Sequence, residues 1–394
     1  MRLNRGYFLY LVLCILTGLA AAEVLVRQRY ETSYLAANIH KDRVFHHRVL
    51  PYTEGTMSSE GDFNIPYRTN NRGMRGPQDY EYAKPDGVYR IAVMGDSFTF
   101  GVGVEVGQEY SSLLQKKLDE ATPGKYEVLN FGVSSYSPVA ELVYFKKEVL
   151  KYKPDLMVLA LDLGDVMDDY FYEKNLVYDK NGEIAGCDPF MKNGRPDIWA
   201  IAKQNSMILT MLDEKGFQSI RKMKAIGLGR YLENKREHVR NKSFLFMEPD
   251  LDNVEFDRFI FSREGKDLAI VRRHWQRTAK YLAMIKKMAD ANGVDFLLTS
   301  YPCGQDVGES QWAKGREYWG FEAGRVYDPS FAFSLLKSFA RENNIDFVSL
   351  LQPMRRNKDK TLYYNNDGHF TPEGQKIVAE TLFGSGAFRK KTGL

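Results

Sequence analysis

Cysteine, histidine and tryptophan are scarce in this chain, at three, six and four among 394 residues. Three cysteines cannot build a disulfide framework, and no Cys/His spacing matches a zinc site. Cys14 lies inside an apolar run. Cys187 and Cys303 could pair in an oxidising compartment, but two thiols that far apart are read as free. An excess of charge of one sign is also missing. Lys and Arg total 55 against 51 Asp and Glu, a net charge of +4. That balance leaves no electrostatic footprint for nucleic acid, and no DNA- or RNA-binding motif is present. Acidic residues do cluster at Asp162, Asp165, Asp168 and Asp169, and again at Asp250, Asp252, Glu255 and Asp257. Neither group has the alternate-position ligands and glycine turn of a calcium loop. No metal and no cofactor is expected.

What is present begins with an ordinary globular composition, 44% hydrophobic and 27% charged, long enough for one large or two smaller domains. The N-terminus departs from it. A short basic flank, Met1 to Arg5, precedes an uncharged, mainly apolar run from Gly6 to Ala22, at the lower limit of the roughly 17–25 residues that span a bilayer. Two readings stay open. Ala20-Ala21-Ala22 fits a small-residue cleavage site of a secretory signal. Alternatively the helix continues past Glu23, with Glu23 and Arg27 paired at i, i+4, as an uncleaved signal anchor over residues 1–27. The absence of any turn signal at Glu23 favours the anchor. The basic flank keeps the N-terminus cytoplasmic, so the body faces outward, in the periplasm if the cell is Gram-negative.

Two motifs carry chemistry. The strand-like run Tyr89 to Val93 leads into Met94-Gly95-Asp96-Ser97-Phe98, a tight turn presenting a serine hydroxyl where ligands bind in open α/β sheets. Near the C-terminus, Asp367-Gly368-His369-Phe370-Thr371-Pro372 places a carboxylate two residues before a histidine, just ahead of a helix. A serine hydroxyl becomes a nucleophile only when a base within hydrogen-bond reach takes its proton. His369 can be that base, and Asp367 would fix its tautomer and stabilise the imidazolium.

Together these segments resemble the SGNH/GDSL hydrolase superfamily of esterases, lipases and carbohydrate O-acyl esterases and transferases, over roughly Gly73 to Phe383. The resemblance implies Ser97 as nucleophile, with His369 and Asp367 completing the catalytic set. It implies an oxyanion hole from the N–H groups of Ser97 and of Gly132, in the block Asn130-Phe131-Gly132-Val133-Ser134. The family's third block reads Asn-Asp and supplies an asparagine donor. Here Leu161-Asp162-Leu163-Gly164-Asp165 puts Gly164 in the asparagine's place, and Asp165 matches the structural aspartate. Losing one donor typically costs about 10²–10³ in rate.

The remaining chain reads as an α/β body. Strands are expected at Arg90–Met94, Tyr126–Phe131, Leu156–Leu161, Val294–Ser300 and Ile345–Leu350. Helices are expected at Gln108–Glu120, Val139–Leu150, Gly265–Asn292, Phe331–Glu342 and Pro372–Leu382. Such alternation predicts a three-layer flavodoxin-like parallel sheet with helices on both faces. Residues 28–88, with the turn-rich patch Asn70–Gly76, read as an extension packing on the catalytic domain of 89–394. An insertion at about 168–264, including a basic helical stretch around Lys215–Lys242, is placed to act as a lid or as a solvated decoration. His238 and His274 read as surface or packing residues. The expected activity is serine-dependent hydrolysis or transfer of ester-linked acyl groups on an envelope or exported polysaccharide, with the membrane as partner through the N-terminal helix. The alternative is an inactive binding or assembly component of an export system. A lipase would need an apolar pocket beside Ser97.

Overall fold

The computed structural model describes residues 5–29, 39–212, 259–262 and 268–394. Five strands make the central sheet: β1 Tyr89–Gly95, β2 Tyr126–Gly132, β3 Leu156–Asp162, β4 Asp295–Tyr301 and β5 Asp346–Ser349. Every pairing is parallel, in the spatial order β5-β4-β3-β1-β2. The order reverses between β1 and β3, and the crevice beyond the C-terminal ends of strands at such a reversal is where open α/β sheets bind ligands.

The three layers follow from the two-residue period of a strand. On β1, Ala92 and Met94 face one core, shared with Leu129, Phe131, Leu159 and residues of helices Pro138–Lys147, Leu268–Ala291 and Ser330–Glu342. Ile91 and Val93 face the other, shared with Val128, Val158 and residues of helices Tyr110–Ala121 and Pro372–Gly384. Strand β3 is buried along its whole length, as a central strand covered on both faces must be.

The N-terminal extension forms two antiparallel hairpins, Ile39–Asp42 with His46–Val49 and Glu54–Ser59 with Phe63–Arg68. The patch Asn70–Gly76 has a structural job. Arg75 is buried in an ion pair with Glu109 (3.2 Å) and donates to the Gly101 carbonyl (2.6 Å). Removing one partner of such a pair strands a buried charge.

The start of the expected insertion, at about residue 168, falls within a helix. Asp168 and Asp169 lie inside helix Asp165–Tyr172, which packs into the body. Beyond it, the hairpin Leu176–Tyr178/Ile184–Cys187 docks on the N-terminal extension, where Cys187 N–H donates to the Val44 carbonyl (2.8 Å). The stretch Lys215–Lys242, His238 and the acidic group Asp250 to Asp257 lie outside the described residues. Among the described residues, neither Cys187 nor Cys303 forms a disulfide. His274 is buried, its Nδ1 3.0 Å from Arg277.

A single helix, Arg5–Arg29, runs through Glu23 without a break, and its stretch Leu9–Val26 is long and apolar enough to cross a membrane. The Glu23 carboxylate accepts hydrogen bonds from Ser206 Oγ (3.0 Å) and Ile208 N–H (3.1 Å). The Arg27 side chain, expected to pair with Glu23, lies outside the described residues.

Candidate active site

Strand β1 ends at Gly95, where the chain turns sharply into the short helix Ser97–Phe100. A side chain at Gly95 would run into Thr99. Asp96 caps the helix, accepting from Phe98 N–H (2.9 Å), and its carboxylate also accepts from the Tyr301 hydroxyl (3.0 Å). The first residue of that helix is Ser97, half-buried at the C-terminal edge of the sheet.

Histidine 369 arrives from the opposite end of the chain. Its Nε2 lies 2.7 Å from Ser97 Oγ, and its Nδ1 is hydrogen-bonded to Asp367 Oδ1. The Asp367 side chain is 4% exposed and that of His369 16%, so the carboxylate is shielded while the imidazole edge meets the cleft. The Phe98 ring packs against the imidazole with centroids 4.7 Å apart. The serine–base–orienting-carboxylate contacts that nucleophilic activation requires are therefore formed.

Two residues without a sequence signal build this geometry. Asp62, in the turn of hairpin Glu54–Ser59/Phe63–Arg68, accepts from the backbone N–H of Asn366 (2.9 Å) and of Asp367 (2.7 Å). It pins the loop that carries Asp367. Gln375, on helix Pro372–Gly384, donates to the Phe98 carbonyl (3.1 Å) and accepts from Tyr110 N–H (2.9 Å). That bond locks the helix following His369 onto the Ser97 turn. Nothing local in the sequence marks Asp62 as a partner for residues about 300 positions away.

Two residues expected at the oxyanion hole, Gly132 and Gly164, have N–H groups that are hydrogen-bonded within the protein. Gly132 N–H donates to Asn130 Oδ1 (2.9 Å), so it is already engaged. Glycine is required there because a Cβ would meet the Thr99–Phe100 backbone, which makes Gly132 a close-approach residue beneath the Ser97 helix. Asn130 itself ties that helix to β2 by donating to the Thr99 carbonyl (2.8 Å). Gly164 N–H donates to Asp162 Oδ1 and is engaged as well. Two other N–H groups at this edge, those of Ser97 and Ser135, make no hydrogen bond among the described residues. Ser135 follows β2 and takes φ of 65°, a left-handed conformation uncommon outside glycine.

The acidic cluster of the sequence is buried and divided among separate tasks. Asp165 accepts from Asp162 N–H (3.0 Å). Asp169 accepts from Ser137 Oγ (2.6 Å), Val139 N–H (2.9 Å) and Thr278 Oγ1 (2.5 Å), joining three helices. Burial, more than anything else, pushes the carboxyls of Asp96, Asp169 and Asp306 up to about 7. For Asp96 the neighbouring Asp162 adds to the rise. A carboxyl whose folded pKa lies above its unfolded value binds more protons when folded, so stability falls as pH rises through that interval. His46 and His47, held below the usual histidine value by burial, act oppositely, an effect that fades as pH rises through about 6.5. Between pH 6.5 and 8 the three buried acids therefore outweigh the two histidines. Thermal unfolding followed across that interval is expected to give a lower midpoint at pH 8 than at pH 6.5.

No family model matches this chain, and no curated protein does. Among solved structures it is similar to an acetyl xylan esterase at 13% identity and a TM-score of 0.39, covering 75% of this chain and 98% of that one. A catalytic variant of an acetylxylan esterase from Geobacillus stearothermophilus matches at 12% identity and a TM-score of 0.38, over 79% and 97% of the two chains. TesA matches at 14% identity and a TM-score of 0.37, over 77% and 99%. Likeness at these scores carries no argument about activity, and the functional reading rests on the geometry of Ser97, His369 and Asp367.

Proposed function

We propose that this protein is a serine esterase or acyltransferase of the SGNH/GDSL type, acting on O-acyl groups of an envelope or exported polysaccharide. The observation that carries the reading is the 2.7 Å contact of His369 Nε2 with Ser97 Oγ, with Nδ1 held by Asp367. Ser97 Oγ attacks the acyl carbonyl as its proton passes to His369. The tetrahedral oxyanion is held by the N–H groups of Ser97 and Ser135. Collapse breaks the ester bond, and the leaving alkoxide takes the proton from His369. The acyl group then passes from Ser97 to water, giving an esterase, or to a sugar hydroxyl, giving a transferase, with His369 again as base. Asp367 orients His369 throughout. The helix Arg5–Arg29 anchors the body to the membrane, and its basic flank orients that body outward; this location is the support for a polysaccharide substrate.

A second reading, a binding or assembly component without turnover, draws on the missing asparagine and on the engaged Gly164 N–H. One experiment separates the two. The full chain in detergent is incubated with a fluorophosphonate probe and, separately, with an aryl acetate and an O-acetylated polysaccharide. Labelling that maps to Ser97, with acetate released from the polysaccharide, supports the esterase. A folded protein that neither labels nor releases acetate is the binding component.

A further inference from the structure

Beside the site, the N-terminal extension buries a histidine pair. His47 Nε2 lies 2.7 Å from the Ser134 carbonyl oxygen, and His47 Nδ1 lies 2.8 Å from His46 Nδ1. A carbonyl only accepts, so the His47 proton sits on Nε2. Its Nδ1 is then an acceptor, and His46 supplies the proton of the second bond. Burial pushes His47 down to about 4, which keeps this single-proton form at neutral pH. Tyrosines surround the pair. The Tyr172 hydroxyl donates to the Ser135 carbonyl (2.8 Å), and the Tyr136 hydroxyl donates to the His47 carbonyl (2.6 Å). The His46 ring packs edge-on against Tyr172 with centroids 4.7 Å apart, and His47 against Tyr136 at 4.9 Å.

The consequence lies in peptide geometry. The Ser134 carbonyl and the Ser135 N–H belong to one planar trans unit, so they point in opposite directions. Holding the carbonyl with His47 therefore fixes the N–H on the far side. The Tyr172 bond fixes the next peptide in the same way. Between them lies Ser135 at φ 65°, and the latch begins at His46, another non-glycine residue in the left-handed region at φ 64°. Such conformations persist where the surroundings over-determine them, and here hydrogen bonds hold the carbonyls of both Ser134 and Ser135. The loop leaves β2 directly alongside the serine turn, since Val133 N–H donates to the Gly95 carbonyl (3.1 Å).

We propose that His47, backed by His46 and assisted by Tyr172, is a positioning residue for the reaction: it orients the Ser134–Ser135 peptide so that the Ser135 N–H faces the developing oxyanion. The proposal rests on the esterase reading above. It gives the N-terminal extension a kinetic role, because the latch reaches the site from outside the sheet. Histidine 47 touches no reacting atom; its effect passes through one backbone donor. Since substrate carbonyl and transition state differ most in charge on that oxygen, misdirecting the donor lowers kcat more than it raises KM.

The test compares steady-state hydrolysis of an aryl acetate by the full chain with that of His47→Ala, His47→Gln and Tyr172→Phe. His47→Ala is expected to lower kcat by about 10- to 100-fold, part of the roughly 10²–10³ that outright loss of a donor costs, with KM within about threefold. Glutamine carries an amide N–H near the position of Nε2, so His47→Gln should recover kcat to within about threefold of the parent. Tyr172→Phe keeps the ring and removes only the hydroxyl; kcat should fall about three- to tenfold. A His47→Ala protein with unchanged kcat, a loss confined to KM, or a glutamine variant as slow as alanine would overturn the proposal. If His47→Ala does not fold, Tyr172→Phe decides, and an unchanged kcat there refutes it. A parent without turnover or labelling refutes the esterase reading itself, and is distinguished by that from failure of the latch alone.

Discussion

Ser97→Ala is expected to lower kcat for ester hydrolysis by about 10⁶-fold, equivalent to about 8 kcal/mol of transition-state stabilisation. The fold should survive, since Ser97 is half-buried and the helix it opens is capped by Asp96 and held to β2 by Asn130. The alanine protein should unfold at the parent's denaturant midpoint, with covalent labelling by a phosphonate abolished. His369→Ala should cost as much, and the double variant no more than either single one, because serine and histidine act as one unit and their effects do not add. Rates of all three proteins against one ester measure this directly. A Ser97→Ala protein retaining a tenth of parental turnover would place the nucleophile elsewhere.

Asp367→Asn should lower kcat by about 10⁴-fold while leaving the loop in place. The acceptor role explains the size. Asp367 Oδ1 accepts from both the Nδ1 and the backbone N–H of His369. An asparagine can turn its NH₂ toward Nδ1, which then has to be the unprotonated nitrogen. The proton moves to Nε2, and the nitrogen facing Ser97 Oγ can no longer accept one. The loop is retained because its anchor is a different residue: Asp62 takes the N–H groups of Asn366 and Asp367 and is untouched by the change. The loss should ease as pH rises, since hydroxide can substitute for the missing base. A pH–rate profile of Asp367→Asn parallel to that of the parent would show that Asp367 does not set the tautomer.

The sheet was legible because its strands advertise themselves. Leu156 to Leu161 is an unbroken apolar run, and β3 is buried along all seven of its residues, Leu156–Asp162. The Ser97 turn and the His369 loop were legible for a related reason. A sharp strand-to-helix turn needs glycine beside the serine, and a histidine with a nearby carboxylate ahead of a proline-started helix is a local pattern. Both sit within a few residues of sequence, so their spacing is visible. The oxyanion donors were not legible in this way. A backbone N–H has no side-chain signature, and what decides its availability is which acceptor reaches it. Gly132 looked like a donor, but its N–H goes to Asn130, two residues earlier in the chain, and the glycine is needed for the approach of Phe100.

The amino-acid order by itself determined the α/β alternation, a continuous apolar helix at the N-terminus, and the identity of Ser97, His369 and Asp367 as the residues to be joined. Local propensity and hydrophobic period suffice for these, since each is set by neighbours in the chain. Tertiary structure alone decided what holds them in register. Asp62 reaches Asp367 and Gln375 reaches the Phe98 carbonyl across about 300 residues, and His47 grips Ser134 across 87. Such contacts exist only once a parallel sheet has brought separate strand ends to one edge, and a hydrogen bond between distant residues leaves no periodicity behind for a sequence to show.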